Sequence, residues 1–574
     1  VLPDVTVVDG AGARGPVTVV LTSWPGGTID YVGADPGAPP DDATVLDVAG
    51  HTVVPGLIDS HVHLFLSGTS VPVGDTLRAQ VRANLYRGVT SVVDVGGPLE
   101  GTGVRDLLTD AGALSVKVMG PMLTTWGSHP CEVLHDEAFC AFADTEAEGL
   151  DVALAHGAAG TDGLKAALAD AAFTPWPTPR LDPAVLGAAA AATAGPTVVH
   201  VDTVHDAEEA LDQGASHLAH PVFGDVLEPA DAAELASRAG AVHTTIGAFS
   251  GTLDLLEGRL ALDAPELHPA IAASWRADAD PRWFDPDWLA GSAAWWAQAE
   301  ASVVGLHAAG GVVLPASDAG YLYVPHGLGL HTELERLSAL GWSNQELLEG
   351  VTVRAAEAWG WLDRGAVTEG LRADLVVVDG DPLTDLSVLR EPLWVVVDGQ
   401  ARTPDAWLSD PLELADGEVC TAPASDCGSG RVCDTVTHRC ADACTIDRWP
   451  VDDDCGTDAF CAFADGRSAP LGCRDTRTCD PYTVGSCGPF YDEACVPLDL
   501  DTFACSPSGP GMEGDSCDAY TPGAGCAPGL YCSSIDARCY AYCDPALGET
   551  QAVCGNRRCE AQYVGAELWF GLCL

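Results

Sequence analysis

The chain has 574 residues, 47% of them apolar, so it can bury a sizeable core yet exceeds the roughly 100–200 residues of one ordinary domain. Its 83 acidic and 27 basic side chains leave a net charge of −56, a surface that repels phosphate backbones and anionic lipid heads and excludes a nucleic-acid partner. No apolar run reaches the 18 residues expected of a spanning helix, so no transmembrane segment is predicted.

In chain order, residues 1–55 alternate short β-rich runs with Gly, Pro and Asp turns, giving candidate strands at 5–8, 17–21, 29–32 and 44–46. These are too few to bury a core alone, and similar runs return at 374–378 and 393–397. A small β-sandwich built from both flanks, residues 1–55 and 365–405, accounts for both sets. Over 56–364 apolar runs precede Ala- and Leu-rich helical stretches. The runs are 53–58, 89–93, 116–119, 163–165, 197–199, 215–218, 241–245 and 312–316, in the order an α/β fold of the (β/α)8 barrel type requires. The stretch 247–307 is long for one connection and carries Trp275, Trp283, Trp288, Trp295 and Trp296. Within it 283–288 reads as loop and 289–306 as helix, forming either a packed outer layer or a lid at the mouth of a site.

Residues 406–574 change character and are predicted to be a disulfide-rich region with little regular structure. Of 22 cysteines, all but Cys131 and Cys140 lie between Cys420 and Cys573. Cys427, Cys433, Cys440, Cys444 and Cys455 recur 99 residues later as Cys526, Cys532, Cys539, Cys543 and Cys554, and Cys461 recurs as Cys559 with a slip of one. Two similar units are therefore expected, joined by a divergent piece carrying Cys473, Cys479, Cys487, Cys495 and Cys505. No paired C-x2-C zinc knuckle occurs there, so the density reads as disulfides formed in an oxidising compartment. With Val1 at its start, the chain is expected to be secreted, periplasmic or held at the cell surface after removal of an export signal, with room for a lipid anchor upstream. The tail would suit binding to a surface polymer or protein.

The strongest chemical signal is the run from Pro55 to His63, an apolar strand entering His61-Val62-His63. Residues two apart on a strand share a face, so both imidazoles point into one interior at a strand end, as paired metal ligands. Lys117 and Lys165 are the chain's two lysines, which draws attention to Lys165 at the end of a candidate strand. G-x-S-x-G is absent from the barrel portion, which argues against serine hydrolase chemistry.

These segments resemble the metal-binding signatures of the amidohydrolase superfamily, and more narrowly its imidazolonepropionase-like and Xaa-Pro-dipeptidase-like branch, over about residues 5–399. The resemblance implies two divalent metal ions, zinc above all, sharing a bridging hydroxide that hydrolyses an amide bond in a small dipeptide-like or N-acyl amino acid substrate. It implies His61 and His63 as ligands of the more buried metal and His200 and His220 as ligands of the more exposed one. Lys165 matches a fourth-strand lysine that becomes N-carboxylated and bridges both metals. His217, three residues before His220, is the rival sixth-strand ligand. Asp318, in Ala316-Ser317-Asp318, matches an eighth-strand Gly-Thr-Asp signature and implies a ligand that also acts as the catalytic proton acceptor.

The loop before His129 is similar to the one after the third strand in this branch, which implies a catalytic or substrate-facing His129, with a plain surface loop as the alternative. Cys131 and Cys140 flank the next segment, either as a disulfide staple or as free thiols. Tyr321, Tyr323 and His326 follow Asp318 as candidate substrate contacts. His331 and Glu333 match scaffold residues of the family, and Asp374 is expected to be structural. Ester, lactone or phosphotriester hydrolysis on the same site, and a non-enzymatic surface-binding role for the tail, are the competing functions; homo-oligomerisation is open.

Overall fold

The computed structural model describes residues 1–38, 41–66, 76–99, 101–131, 137–169, 178–279, 281, 286–321 and 323–410, and beyond them paired short strands between Arg431 and Cys573. The chain divides into two compact units, Val1–Ala415 and Asp416–Leu574.

In the first unit both flanks enter one seven-stranded sheet, ordered Gln400–Arg402, Trp394–Val397, Leu375–Val378, Thr52–Pro55, Leu2–Asp9, Gly12–Leu21 and Ile29–Gly33. Leu2, Val5, Val7, Val19, Ile29, Val53, Leu375, Val377 and Val396 form its core. The expected strand at 44–46 is irregular; it is tied to the first residue by Leu46 N–H donating to the Val1 carbonyl (3.0 Å). Asp374 is structural as expected, accepting from Asp398 N (2.8 Å) and pairing with Arg372.

The apolar run at 53–58 serves two sheets. Thr52–Pro55 pairs with Leu375–Val378 in the flank sheet, and Leu57–Val62 becomes the first barrel strand. Gly56 makes the passage, because a Cβ there would lie 2.2 Å from the Thr90 hydroxyl. The remaining barrel strands are Val89–Asp94, Ser115–Val118 continued as Met122–Thr124, Leu164–Ala167, Thr197–His200, His217–Leu218, Ala241–His243 and Val313–Leu314. Each described neighbour pair is parallel, and a parallel bridge between Val62 and Ala319 joins the first strand to the loop after the last. The strands read as near-continuous Val, Leu and Ala runs because a parallel sheet is covered on both faces. Helices Glu146–Ala159 and Val204–Asp212 open on capping boxes, Thr145 with Glu148 and Thr203 with Asp206, which satisfy their first backbone donors. No described helix is long and apolar enough to cross a membrane.

The long connection after the seventh strand is helical: Ile246–Leu256, Pro269–Asp278 and Pro286–Ala308. The last begins ahead of the predicted 289, while Trp283 lies outside the described residues. Trp275 is buried with Leu255, Ile271 and Tyr323, and Trp295 and Trp296 pack against Phe223 and Phe249.

In the second unit, Arg431–Asp434, Arg439–Cys444, Leu471–Asp475 and Ala459–Phe463 form one sheet in that order, and Leu530–Ser533, Arg538–Cys543, Glu567–Cys573 and Cys559–Val564 form another in the same order. Cys433 stands opposite Cys440 and Cys461 opposite Cys473; Cys532 stands opposite Cys539 and Cys559 opposite Cys573. The repeat thus extends to Cys473, which spacing alone assigns to the divergent piece. That piece carries its own hairpin, with Cys495 opposite Cys505.

Candidate active site

The site begins where the first and eighth barrel strands meet. Asp318 follows Val313–Leu314 with a left-handed φ of 60°, and its N–H donates to the His61 carbonyl (2.9 Å), while His63 N–H donates to the Ala319 carbonyl (2.7 Å). Asp318 Oδ1 then lies 3.2 Å from His61 Nε2 and 3.1 Å from His63 Nε2. The ligand atoms of these three side chains fall within 4.8 Å of one another. Gly320 must be glycine: its φ is 98°, and a Cβ would sit 2.1 Å from the His63 carbonyl oxygen. Beneath this junction Asp59 accepts from Ser317 N (3.0 Å) and Ser317 Oγ (2.5 Å), and burial pushes its carboxyl up to about 7 despite those bonds.

The fourth, fifth and sixth strands bring Lys165, His200 and His220 to the same cavity, which His63, His129, Asp318 and Tyr321 also line, with Met122 and Phe249 as apolar walls. Ring centroids are 5.6 Å apart for His61 and His63, 5.1 Å for His61 and His220, and 4.6 Å for His200 and His220. His200 Nε2 is 3.0 Å from Asp202 Oδ1, and His220 Nδ1 is 2.8 Å from Thr245 Oγ1. His129 packs on His200 at 4.3 Å, and Tyr321 faces His63 at 6.0 Å. Cys131 and Cys140 form a disulfide, Cα to Cα 6.4 Å, directly after His129.

The charge states suit a cation. Burial lowers His61 to about 3 and His200 to about 4, and takes His220 well below its ordinary value, so all three are neutral, as ligands must be. Burial works against the Asp318 carboxylate, but the adjoining His61 and His63 hold it well below the usual range. Lys165 is fully buried, burial lowers its amine to about 7, and Nζ has no hydrogen-bond partner among the described residues. His61 Nε2 and Asp318 Oδ1, although close, likewise lack hydrogen-bond alignment. Buried nitrogen and oxygen lone pairs that converge without protons between them are a donor set fit for zinc or a similar first-row ion.

Residues 52–258 match the model of the amidohydrolase family, and this stretch contains five of the six implied ligands. Over these residues the barrel is that of the amidohydrolase family. A putative prolidase from Bifidobacterium longum superimposes with a TM-score of 0.56 at 21% identity, covering 71% of this chain and 97% of its own. A Xaa-Pro dipeptidase with bound methionine gives 0.56 at 19% identity, covering 70% and 98%. At these identities the likeness is one of fold. An enamidase from Eubacterium barkeri is 42% identical over 57 residues, 10% of this chain and only 14% of the enamidase. Where this chain has Ala-Ser-Asp in place of the Gly-Thr-Asp named above, Ser317 keeps a hydroxyl, and that hydroxyl donates to Asp59.

Two expected substrate contacts are not in the cavity. Tyr323 turns away, its ring 5.7 Å from Trp275 and its hydroxyl 3.5 Å from Asp278, because a φ of 66° reverses the chain after Tyr321. His326 is buried beside Asn84 (3.4 Å) in a separate cavity with Trp275 and Gly320, so it supports the loop. His217 faces His243 and Trp359, leaving His220 beside His200 and His61. His331 Nε2 donates to the Arg87 carbonyl (2.8 Å), and Glu333 accepts from Ile246 N (2.9 Å) and Gly247 N (3.1 Å), the contacts of scaffold residues. Sequence reasoning missed Asp202, Thr245 and His243. Asp202 had a signal, two residues after a strand-end histidine; Thr245 and His243 had none beyond membership of the seventh strand.

Proposed function

We propose that the protein is a metal-dependent hydrolase of amide bonds in small peptide-like substrates, a dipeptide or an N-acyl amino acid. The observation that carries this reading is the convergence of His61, His63 and Asp318 beside a fully buried Lys165 whose amine has no hydrogen-bond partner among the described residues. His61, His63 and Asp318 would hold one metal; His200 through Nδ1 and His220 through Nε2 would hold the second, since their other nitrogens meet Asp202 and Thr245. An amine lowered to about 7 is substantially neutral at neutral pH. It can attack carbon dioxide, form an N–C bond and release a proton, giving an anionic carbamate that would help hold the metal ions. When bound, the metals supply Lewis-acid polarisation of the carbonyl and lower the pKa of the nucleophilic water.

Asp318 performs the proton transfer. Its Oδ1 faces the two imidazoles at the proposed metal position, which would leave Oδ2 to take the proton from the attacking water and deliver it to the leaving nitrogen. His129 and Tyr321 line the cavity and would orient the substrate, and Met122 and Phe249 would exclude water from the scissile bond. The Cys131–Cys140 disulfide preorganises the His129 loop and supports work outside a reducing cytosol.

The test is to purify the protein under oxidising conditions, count bound metal, and assay dipeptides and N-acyl amino acids with and without chelator, with lactones and phosphotriesters alongside. Two metals per chain and chelator-sensitive amide hydrolysis are expected. Metal-independent turnover, or preference for the ester substrates, overturns the reading.

A further inference from the structure

Barrel interiors are ordinarily filled by layers of branched apolar side chains. Below the cup this barrel instead holds a row of imidazoles. His61 Nδ1 is 3.1 Å from His243 Nδ1, and His243 Nε2 is 3.3 Å from His217 Nδ1. His61 and His243 have no exposed surface and His217 has 4%, so water cannot replace any member of the row. The Trp359 indole closes its lower end, with ring centroids 4.7 Å from His217 and 5.6 Å from His243, which fixes both ring planes.

We infer that His243, backed by His217, sets the tautomer of His61 and thereby fixes the nitrogen that His61 offers to a metal. This rests on the metal-centre reading above. Each contact in the row needs one proton, and two neutral arrangements satisfy both. In one, His61 Nδ1–H donates to His243 Nδ1, and His243 Nε2–H donates to His217 Nδ1. His61 Nε2, 3.2 Å from Asp318, is then an unprotonated lone pair ready to ligate. In the other, His243 Nδ1–H donates to His61 Nδ1, and the His61 proton moves to Nε2, where it blocks the ligand position. His243 cannot donate from both nitrogens while neutral, so the proposal assigns His217 Nδ1 the acceptor role, and that role selects the first arrangement. The sixth and seventh strands thus prepare a ligand on the first. His243 is a positioning residue, since it touches neither metal nor substrate, and its usual counterpart at such a position is a carboxylate or a carbonyl.

The test uses the full chain, stripped of metal, and compares wild type with His243→Asn, His243→Leu and His217→Leu. Zinc affinity is measured by chelator competition, the cobalt-substituted absorption spectrum reports ligand geometry, and melting temperature monitors folding. The Asn carboxamide oxygen replaces Nδ1 as acceptor, whereas Leu offers none. His243→Leu is expected to weaken zinc binding about 10–100-fold and alter the cobalt spectrum, His243→Asn to recover most of the affinity, and His217→Leu to show a smaller loss. Equal affinity in His243→Leu and wild type overturns the inference, as do equal losses in the Leu and Asn variants. If His243→Leu does not fold, His217→Leu decides, and wild-type affinity there sinks the proposal. A wild type that takes up no metal overturns the metal-centre reading itself, a result distinct from a metal-competent wild type matched by its variants.

Discussion

The two halves of the cup are built differently. The half from the first and eighth strands is interlocked: two backbone hydrogen bonds and the Asp59–Ser317 pair join the strands directly behind His61, His63 and Asp318. The half from the fifth and sixth strands is joined by the sheet ladder, Ala219 N–H donating to the Val199 carbonyl (2.8 Å), and its two histidines each meet a side chain of their own, His200 that of Asp202 and His220 that of Thr245. In the first half one shared junction stands behind all three side chains, whereas in the second each imidazole has a partner of its own. On the proposed two-metal reading, loss of one such partner should disturb the second half alone.

Lys165 belongs to both halves, so its replacement should break the comparison most severely. Lys165→Ala is expected to lose bound metal and to lower activity by more than the roughly 10–100-fold typical of an outer partner, read by metal count and kcat. Unchanged metal content removes Lys165 from the centre. Asp202→Asn should separate the halves, weakening one metal per chain by about 10–100-fold in a chelator titration while the other holds. Simultaneous loss of both would show that the halves act as one. Ser317→Ala takes the hydroxyl donor from buried Asp59 and should cost about 1–3 kcal/mol, seen as a lower melting temperature. A melting temperature equal to wild type would mean that the seam contributes no stability.

The smallest effect is that of pH on the metal-free protein. Burial holds His61 at about 3 and His200, His217 and His331 at about 4, against an ordinary 6.5. Below that ordinary value the unfolded chain binds protons that the folded one refuses, so stability is lost as pH falls towards 4 and levels off below about 3. Asp59 and Glu333, raised by burial to about 7, act in the opposite sense between about 4 and 7, because the folded state keeps protons that the unfolded chain releases. The buried imidazoles outnumber these carboxyls, so net destabilisation on acidification is expected. A melting temperature in chelator that rises between about pH 6.5 and pH 5 would show the carboxyls in control.

Much of the site was legible because its spacing is local. His61 and His63 share a face by the two-residue period of a strand, and Lys165, His200 and Asp318 each lie within or just beyond an apolar run. Tyr323 was misread because one left-handed residue reverses the chain, and nothing in the run from Asp318 to Tyr323 announces it. The run at 53–58 read as one strand since both of its halves are apolar; only the division at Gly56 between two sheets separates them.

The amino-acid sequence alone determined the barrel, the two-ended β domain, the types of residue that line the cavity and the duplicated cysteine pattern, all of which depend on periodicities and spacings within short stretches. Tertiary structure decided the partners: Ser317 for Asp59, Thr245 for His220 and His243 for His61. Those pairs join side chains from different strands, and their contacts arise only when the sheet closes and sets the register between strands distant in the chain.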